Sequence, residues 1–495
     1  MLKEKQASVL PDVALYAALI LVTYELAIAL ISYINIADKA LHFPFPLTYA
    51  EGPLLDQVLR LARGANIYPA NIQTPPYTLT ATTPLFQLLQ VPFIQTGTPT
   101  FWFGRVFSIA SLILSAVLIG GIVYVVAKDW IAAAMSAGML FCFPHLVFGS
   151  VVNQPDTLAL AFSLGALLLL VCWPTRLPAV AFAALLCATA IYTHPRYFIA
   201  LPLGGLLWLW RSQARRQAIT WIALVSVFCA VGFVILNAIT GGGFLLHVVA
   251  FNTLTFQPIN FLDTLLNIGI RAAYVLMGGA LILIVERLEQ PHVVWRLASS
   301  YGFAAFLSAL SVTRANGGLN DLYELAIAIA LMAGASIAWL GTKSHWLKVT
   351  GILVIALQAG SLNAWTTEQY LPLFLNKANN VREAAQLAQI VKDANGAVLA
   401  DEFMGLLPLN NQPILFQPFE YKQLKEAGLW DDTALIKQIE RREFKAILLY
   451  ESSAARTLSV RWTPELRKAI YAHYDKQELL ADTLVYVPKP TNARP

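Results

Sequence analysis

The stretch VALYAALILVTYELAIALISYI, residues 13–34, holds a single charged side chain, Glu25. At 1.5 Å of rise per residue a helix of this length crosses a hydrocarbon core of about 30 Å. It follows a short tail with Lys3 and Lys5. It is longer than a signal-peptide core, and no small-x-small cleavage pattern follows closely, so it reads as an uncleaved anchor. Outward from it, further apolar runs fall near 106–127, 130–149, 157–173, 179–194, 197–210, 217–239, 270–285, 297–312, 322–340 and 346–366. Together they give about eleven transmembrane segments. Composition agrees: 57% of residues are apolar and 13% charged, with a mean hydropathy of +0.60, where a soluble domain carries about 25% charged residues.

Orientation follows from the distribution of Lys and Arg. Lys128, Arg176, Arg211, Arg215, Arg216, Arg287, Arg296, Lys343 and Lys348 fall in alternate turns, whereas the turns at 150–156 and 240–268 hold none. This predicts a cytoplasmic N-terminus, an extracytoplasmic loop 35–100 and an extracytoplasmic tail. Ten tryptophans, among them Trp102, Trp130, Trp208, Trp221 and Trp295, lie near expected helix ends and predict an interfacial aromatic belt. The net charge of +5 reflects topology rather than nucleic-acid binding. Cys142, Cys172, Cys187 and Cys229 all fall within spans and read as packing residues, which excludes disulfides and thiolate metal sites from the extracytoplasmic parts.

Near Thr367 the hydrophobic runs shorten and charges become frequent. The division is therefore a transmembrane part, 1–366, and an α/β domain, 367–495. The latter is expected as helix 377–395, strand 396–401, a strand near 413–417, helix 431–443, strand 445–450, helix 463–474 and strand 478–487. It has no glycine-rich phosphate loop.

Within loop 35–100, Tyr49-Ala50-Glu51-Gly52-Pro53 opens a stretch of helical periodicity, Leu54 to Arg63, with Asp56, Arg60 and Arg63 on one side. It reads as a helix lying in the interface plane, and Pro84 to Ile94 reads similarly. Glu51 has two readings: a helix-start carboxylate stabilised by the macrodipole, or a catalytic carboxylate at the lipid boundary. Four polar clusters are expected at the same face. They are Asn153-Gln154-Pro155-Asp156, His194-Pro195-Arg196, the region Asn252 to Asp263 with His247, and Arg314 to Glu324 with Asn320 and Asp321. Asp156 also reads as a helix start. Arg196 suits either a phosphate or lipid headgroups. Glu324 lies a turn inside a span, where ionisable groups are costly, and is expected to pair with a nearby arginine. Glu25 is expected to face the bundle and meet a polar neighbour.

Together, Tyr49 to Pro53, Arg63-Gly64-Ala65-Asn66-Ile67-Tyr68, Pro75-Pro76, Gln154 to Ala159, Asn316 to Glu324 and Gly428-Leu429-Trp430-Asp431 resemble the GT-C superfamily of integral-membrane glycosyltransferases. The closer likeness is to the bacterial protein-mannosyltransferase-like branch that includes aminoarabinose transferases of lipid A. The resemblance implies a polytopic helical membrane fold and transfer of a sugar from a polyprenyl-phosphate donor to a lipid, glycan or protein acceptor. It places Glu51 at the reaction centre. Many relatives have an aspartate or an Asp-Glu pair there; this chain has Ala50 before Glu51, so a single carboxylate is expected, aided by Asp156. Relatives often have a lysine near the His194–Arg196 position.

On this reading Glu51 is the base and Asp156 a second catalytic residue. Arg196, Arg314, Arg60, Arg63 and His194 bind the donor phosphate, and Tyr68, Asn153, Asn320, Asp321 and Glu324 contact substrate. One base and one displacement predict inversion at the anomeric carbon. No cofactor is required; a divalent metal shared by Glu51 and Asp156 is compatible with the sequence. The expected partners are the donor and the bilayer, with no nucleic acid. The competing classes are a flippase of lipid-linked sugars, which predicts two similar halves, and a non-catalytic membrane scaffold, for which Glu51 is dispensable.

Overall fold

The computed structural model describes residues 2–94, 97–253, 262–263, 266, 269–286, 293–313, 319–451 and 461–490. The chain is mostly helical, with a small sheet near its C-terminus. Among the described residues, six helices are long and apolar enough to cross a membrane: Pro11–His42, Trp102–Ala127, Arg215–Ile239, Val293–Val312, Leu319–Lys343 and His345–Asn379. A seventh arises if Trp130–Cys142 and Pro144–Ser150, bent by 69° at their junction, form one broken span. The other expected segments are shorter helices, including Asp156–Cys172, Leu177–Thr193 and Ala200–Arg211. Of the roughly eleven expected segments, six or seven are thus matched among the described residues by helices of spanning length, and others by these shorter helices.

Helix Trp102–Ala127 packs on Asp156–Cys172, which packs on Leu177–Thr193; the first helix packs on His345–Trp365. Close approach relies on small residues. A Cβ on Gly334 would stand 2.1 Å from Ser136 Oγ, and that hydroxyl donates to Ala330 O at 2.9 Å. Glu25 accepts from Asn363 Nδ2 at 3.1 Å, so its polar neighbour lies on the last span. The tryptophans expected near helix ends differ in exposure. Trp102, Trp130, Trp173, Trp210 and Trp346 are exposed, but Trp221, Trp295 and Trp208 are buried in the bundle. Trp221 and Trp208 donate their indole N–H groups to Pro202 O and Leu170 O.

The first helix continues to His42, so the loop begins later than expected. Its helix, Glu51–Ala62, is not laid open at an interface: Glu51 through Leu59 are all buried. Leu55, Val58 and Leu59 pack with Ile94 and Phe101, and the helix start backs onto the C-terminal unit. A Cβ on Gly52 would lie 2.6 Å from Gly405 N.

The change of composition at Thr367 falls inside a continuous helical run that ends at Asn379. Beyond it come β1 (Val398–Ala400), β2 (Ala446–Tyr450), β3 (Tyr474–Leu480) and β4 (Thr483–Pro488). The sheet order is β1-β2-β4-β3, with β1 parallel to β2 and the other pairs antiparallel. The single strand expected at 478–487 is thus a hairpin. It turns at Ala481-Asp482, both at positive φ, the backbone of a two-residue hairpin turn. The strand expected near 413–417 does not join the sheet. Phe416 instead bridges Tyr77 of the first loop, and Tyr77 N donates to Leu415 O at 2.8 Å. Around that bridge Tyr77, Phe416, Tyr421 and Trp430 pack edge to face, tilted or stacked, with centroids 4.9–6.0 Å apart. Such pairs contribute about 0.5–1.5 kcal/mol each beyond burial. The first loop and the C-terminal unit therefore share one core.

Candidate active site

Glu51 sits where three segments meet. Pro53 starts its helix with φ already set, and Glu51 occupies the first turn, where a carboxylate complements the helix dipole. Its carboxylate turns inward. Arg105 Nε donates to Oε1 and Nη2 to Oε2, both at 2.8 Å. Leu47 N donates to Oε2 and Asn153 N to Oε1, both at 2.7 Å. Arg105, itself 1% exposed, also donates to the carbonyls of Ala40, Phe43 and Phe45 at 2.5–2.7 Å. This cluster ties the end of the first helix to the loop, to helix Trp102–Ala127 and to the turn before Asp156.

A cavity of about 240 Å³ lies beside it, and Glu51 does not line it. The first loop contributes Tyr49, Ala50 and Gln57. The turns of the bundle contribute Gln154, Asp156, His194, Arg196 and Asn320, and the C-terminal unit contributes Phe419 and Glu420. Arg196 Nη1 approaches Asp156 Oδ1 at 3.4 Å, and its Nε pairs with Asp321 Oδ1 at 3.0 Å. Among the described residues Nη2 has no protein partner. His194 Nδ1 accepts from Arg196 N at 3.2 Å, and Nε2 stands 3.9 Å from Asp156 Oδ1. Asn320 Nδ2 donates to Gln154 Oε1 at 2.9 Å. Tyr49 Oη donates to Glu420 Oε2 at 2.6 Å.

Two effects of burial shape the Tyr49 side. Burial pushes the Tyr49 hydroxyl well above the usual phenol range, so it stays a donor. Burial also raises Glu420. Arg461 stacks 4.7 Å over the Tyr49 ring and pairs with Glu402 at 2.6 Å. Burial works against the Glu402 charge, but Lys377 and Arg461 win and bring it down to about 2. Leu47 and Thr48, just before Tyr49, line a larger cavity of about 660 Å³ walled chiefly by apolar side chains, among them Phe148, Leu373 and Phe374.

Of the residues expected from sequence, Asp156, His194, Arg196 and Asn320 come together at the smaller cavity, and Asp321 stands behind Arg196. Asn153 serves Glu51 through its backbone. Arg60 bonds Thr78 Oγ1 and Asn66 O inside its own loop, and Arg63 is exposed at the end of its helix. Tyr68 is buried, donating to Thr82 O. Glu324 accepts from Ser308 Oγ at 2.7 Å, so a serine, not an arginine, partners it among the described residues. Arg314 lies outside the described residues. Of the two carboxylates considered for a shared metal, Glu51 is engaged by Arg105 and Asp156 faces Arg196. Among the described residues no group of three or more His, Cys, Asp or Glu is placed to hold a metal ion. Glu420 was missed; in sequence it is an acidic residue in the first turn of a Pro-started helix, Pro418–Glu426, with nothing to set it apart.

The same arrangement of helices and C-terminal unit recurs in solved structures. ArnT from Cupriavidus metallidurans bound to undecaprenyl phosphate aligns over 95% of this chain and 99% of its own, with a TM-score of 0.58 and 12% identity. The fold is therefore the one that ArnT has. ArnT in the apo state aligns over the same shares of both chains, with a TM-score of 0.60 and 11% identity. The archaeal oligosaccharyltransferase AglB from Archaeoglobus fulgidus, in complex with an inhibitory peptide and a dolichol-phosphate, aligns over 95% of this chain and 75% of its own, with a TM-score of 0.50 and 11% identity. No protein-family model and no curated protein sequence matches the chain. At such identities the GT-C likeness is one of fold, and the chemistry rests on the cavity.

Proposed function

We propose that this protein transfers a sugar from a polyprenyl-phosphate donor to an acceptor at the outer face of the membrane. The observation that carries this reading is the cavity where Arg196, His194, Asp156 and Asn320 from the bundle meet Tyr49 and Glu420. It supplies a guanidinium for the phosphate and, on other elements, carboxylate and phenol groups for hydroxyls. That ArnT and AglB, with this fold, bind undecaprenyl phosphate and dolichol-phosphate supports the donor class.

A sugar phosphate carries its own leaving group. As the anomeric C–O bond breaks, charge grows on the phosphate, and Arg196 Nη2 stabilises it. Asp156 and Asp321 are positioning residues that fix the guanidinium. Glu51 is not assigned as the base, because its carboxylate accepts four hydrogen bonds and it does not line the cavity. Instead it orders the turn that presents Asp156. One displacement at the anomeric carbon gives inversion. The N-terminus is cytoplasmic, and residues 367–495 form an extracytoplasmic domain, in keeping with the Lys and Arg distribution.

The test is release of polyprenyl phosphate by purified protein from a panel of synthetic polyprenyl-phosphate hexoses and pentoses, with an extract of envelope lipids and glycans as acceptor. Turnover with one of them supports the reading; no turnover with any refutes it. The orientation is tested by Lys437→Cys, an exposed position. Labelling of intact cells by an impermeant maleimide is expected, and labelling only after permeabilisation would reverse the topology.

A further inference from the structure

We infer that the C-terminal unit supplies the base of the transfer, and that the base is Glu420. This rests on the transferase reading above and goes beyond it by naming the proton acceptor.

The acidic residues around the cavity are not equivalent. Glu51 is fully buried and saturated by Arg105 and two backbone N–H groups. Asp56 is buried in its helix, accepting from Ile414 N, and does not reach the cavity. Asp321 is committed to Arg196 and to Ser311 Oγ at 2.9 Å. Asp156 lines the cavity but faces Arg196 and His194; protonating it would give up that pairing at the moment the cation is needed. Glu420 differs. It lines the cavity, it is half-buried, and no described Lys or Arg lies within 4.0 Å of its carboxylate. Its side-chain hydrogen-bond donor is the Tyr49 hydroxyl on Oε2. A carboxylate whose side-chain donor is one neutral hydroxyl, with Arg461 favouring its charge only from beyond ion-pair distance, is better placed to take a proton than one locked in an ion pair. Burial, which raises its proton affinity, acts in the same direction.

The step balances as follows. The acceptor hydroxyl gives its proton to the Glu420 carboxylate. Its oxygen forms a bond to the anomeric carbon as the bond from that carbon to the phosphate oxygen breaks. The electron pair leaves with polyprenyl phosphate, and Glu420 later returns the proton to water. Tyr49 is a positioning residue. Ala50 lines the same cavity and is a second place from which a carboxylate would reach the acceptor.

The experiment uses full-length protein in detergent with the hexose or pentose phospholipid that wild type turns over. Undecaprenyl phosphate serves as the binding probe. Glu420→Gln keeps an acceptor for Tyr49; it is expected to lower kcat by about 10²–10⁴-fold, with KM and probe affinity within about threefold of wild type. In Glu420→Ala, added formate is expected to restore part of the turnover, which a merely structural role would not allow. Ala50→Asp in the Glu420→Gln background is expected to recover activity as well. Turnover of Glu420→Gln within about threefold of wild type overturns the assignment. So does a loss of turnover matched by loss of probe binding and unrelieved by formate. A wild-type protein that turns over no donor removes the transferase reading itself, and this assignment with it.

Discussion

Breaking the pair between Glu51 and Arg105 tests whether this carboxylate is framework or reagent. Arg105→Ala removes five donor contacts at once, two to Glu51 and three to the carbonyls of Ala40, Phe43 and Phe45. Glu51, fully buried, keeps only the N–H groups of Leu47 and Asn153. Removing one partner of a buried ion pair costs about 3–5 kcal/mol, because the survivor is left charged without solvent. Glu51→Gln costs the same order, since an amide N–H must then face a guanidinium or a backbone donor. The double variant Glu51→Leu/Arg105→Met removes both charges and is expected to lose at least about 2 kcal/mol less than the sum of the single losses. The assay is a double-mutant cycle read by pulse proteolysis in urea, with donor turnover measured on the same preparations. Turnover should fall in proportion to the folded fraction. If Glu51→Gln is as stable as wild type yet loses turnover by about 10³-fold or more, Glu51 is the base and the reasoning from its saturated hydrogen bonds fails.

Three other outcomes follow from the geometry. Arg196→Gln, which keeps polar bulk but no charge, should weaken undecaprenyl phosphate binding by about 10–100-fold; unchanged affinity in a titration moves the phosphate elsewhere. His247 accepts from Thr80 N and bonds Pro69 O, and burial lowers it to about 4 from 6.5. Its folded value is depressed, so the unfolded chain binds the extra proton between pH 6.5 and 4. Stability should then fall on acidification by about 1.4 kcal/mol per unit across that window, and His247→Leu should flatten the slope measured by proteolysis of the loop. Gly52→Ala pushes a methyl group to 2.6 Å from Gly405 N. It should destabilise by about 1–3 kcal/mol and lower the thermal midpoint, whereas Gly64→Ala, which meets nothing within 4 Å, is limited to its positive-φ strain.

The helices were legible where periodicity and length speak for themselves, as at 106–127 and 217–239. The helix after Glu51 was legible, but not its burial: Asp56, Arg60 and Arg63 mark a polar side, and only tertiary structure reveals that Asp56 meets Ile414 N of the C-terminal unit and Arg60 turns into its own loop, while Arg63 stays exposed. The hairpin at Ala481-Asp482 escaped because neither residue is the asparagine or glycine that advertises positive φ. The direction in which Glu51 points depends on Arg105, 54 positions away, and no local pattern carries such a pairing. Asp156, His194, Arg196 and Asn320 were found because each interrupts or ends an apolar run. Glu420 lies in an ordinary polar stretch, and its partner Tyr49 is 371 positions distant.

The shared core of the first loop and the C-terminal unit also sets a timetable. A chain made from its N-terminus exposes Arg196 well before Glu420 exists: 420 − 196 is 224 residues, roughly 10–45 s of synthesis. During that interval one wall of the cavity, and the aromatic partners of Tyr77, are missing. On the proposed transferase reading, a nascent chain in the membrane would meet lipid-linked sugars before it could consume them, and turnover would begin only when the C-terminal unit has folded back onto the first loop.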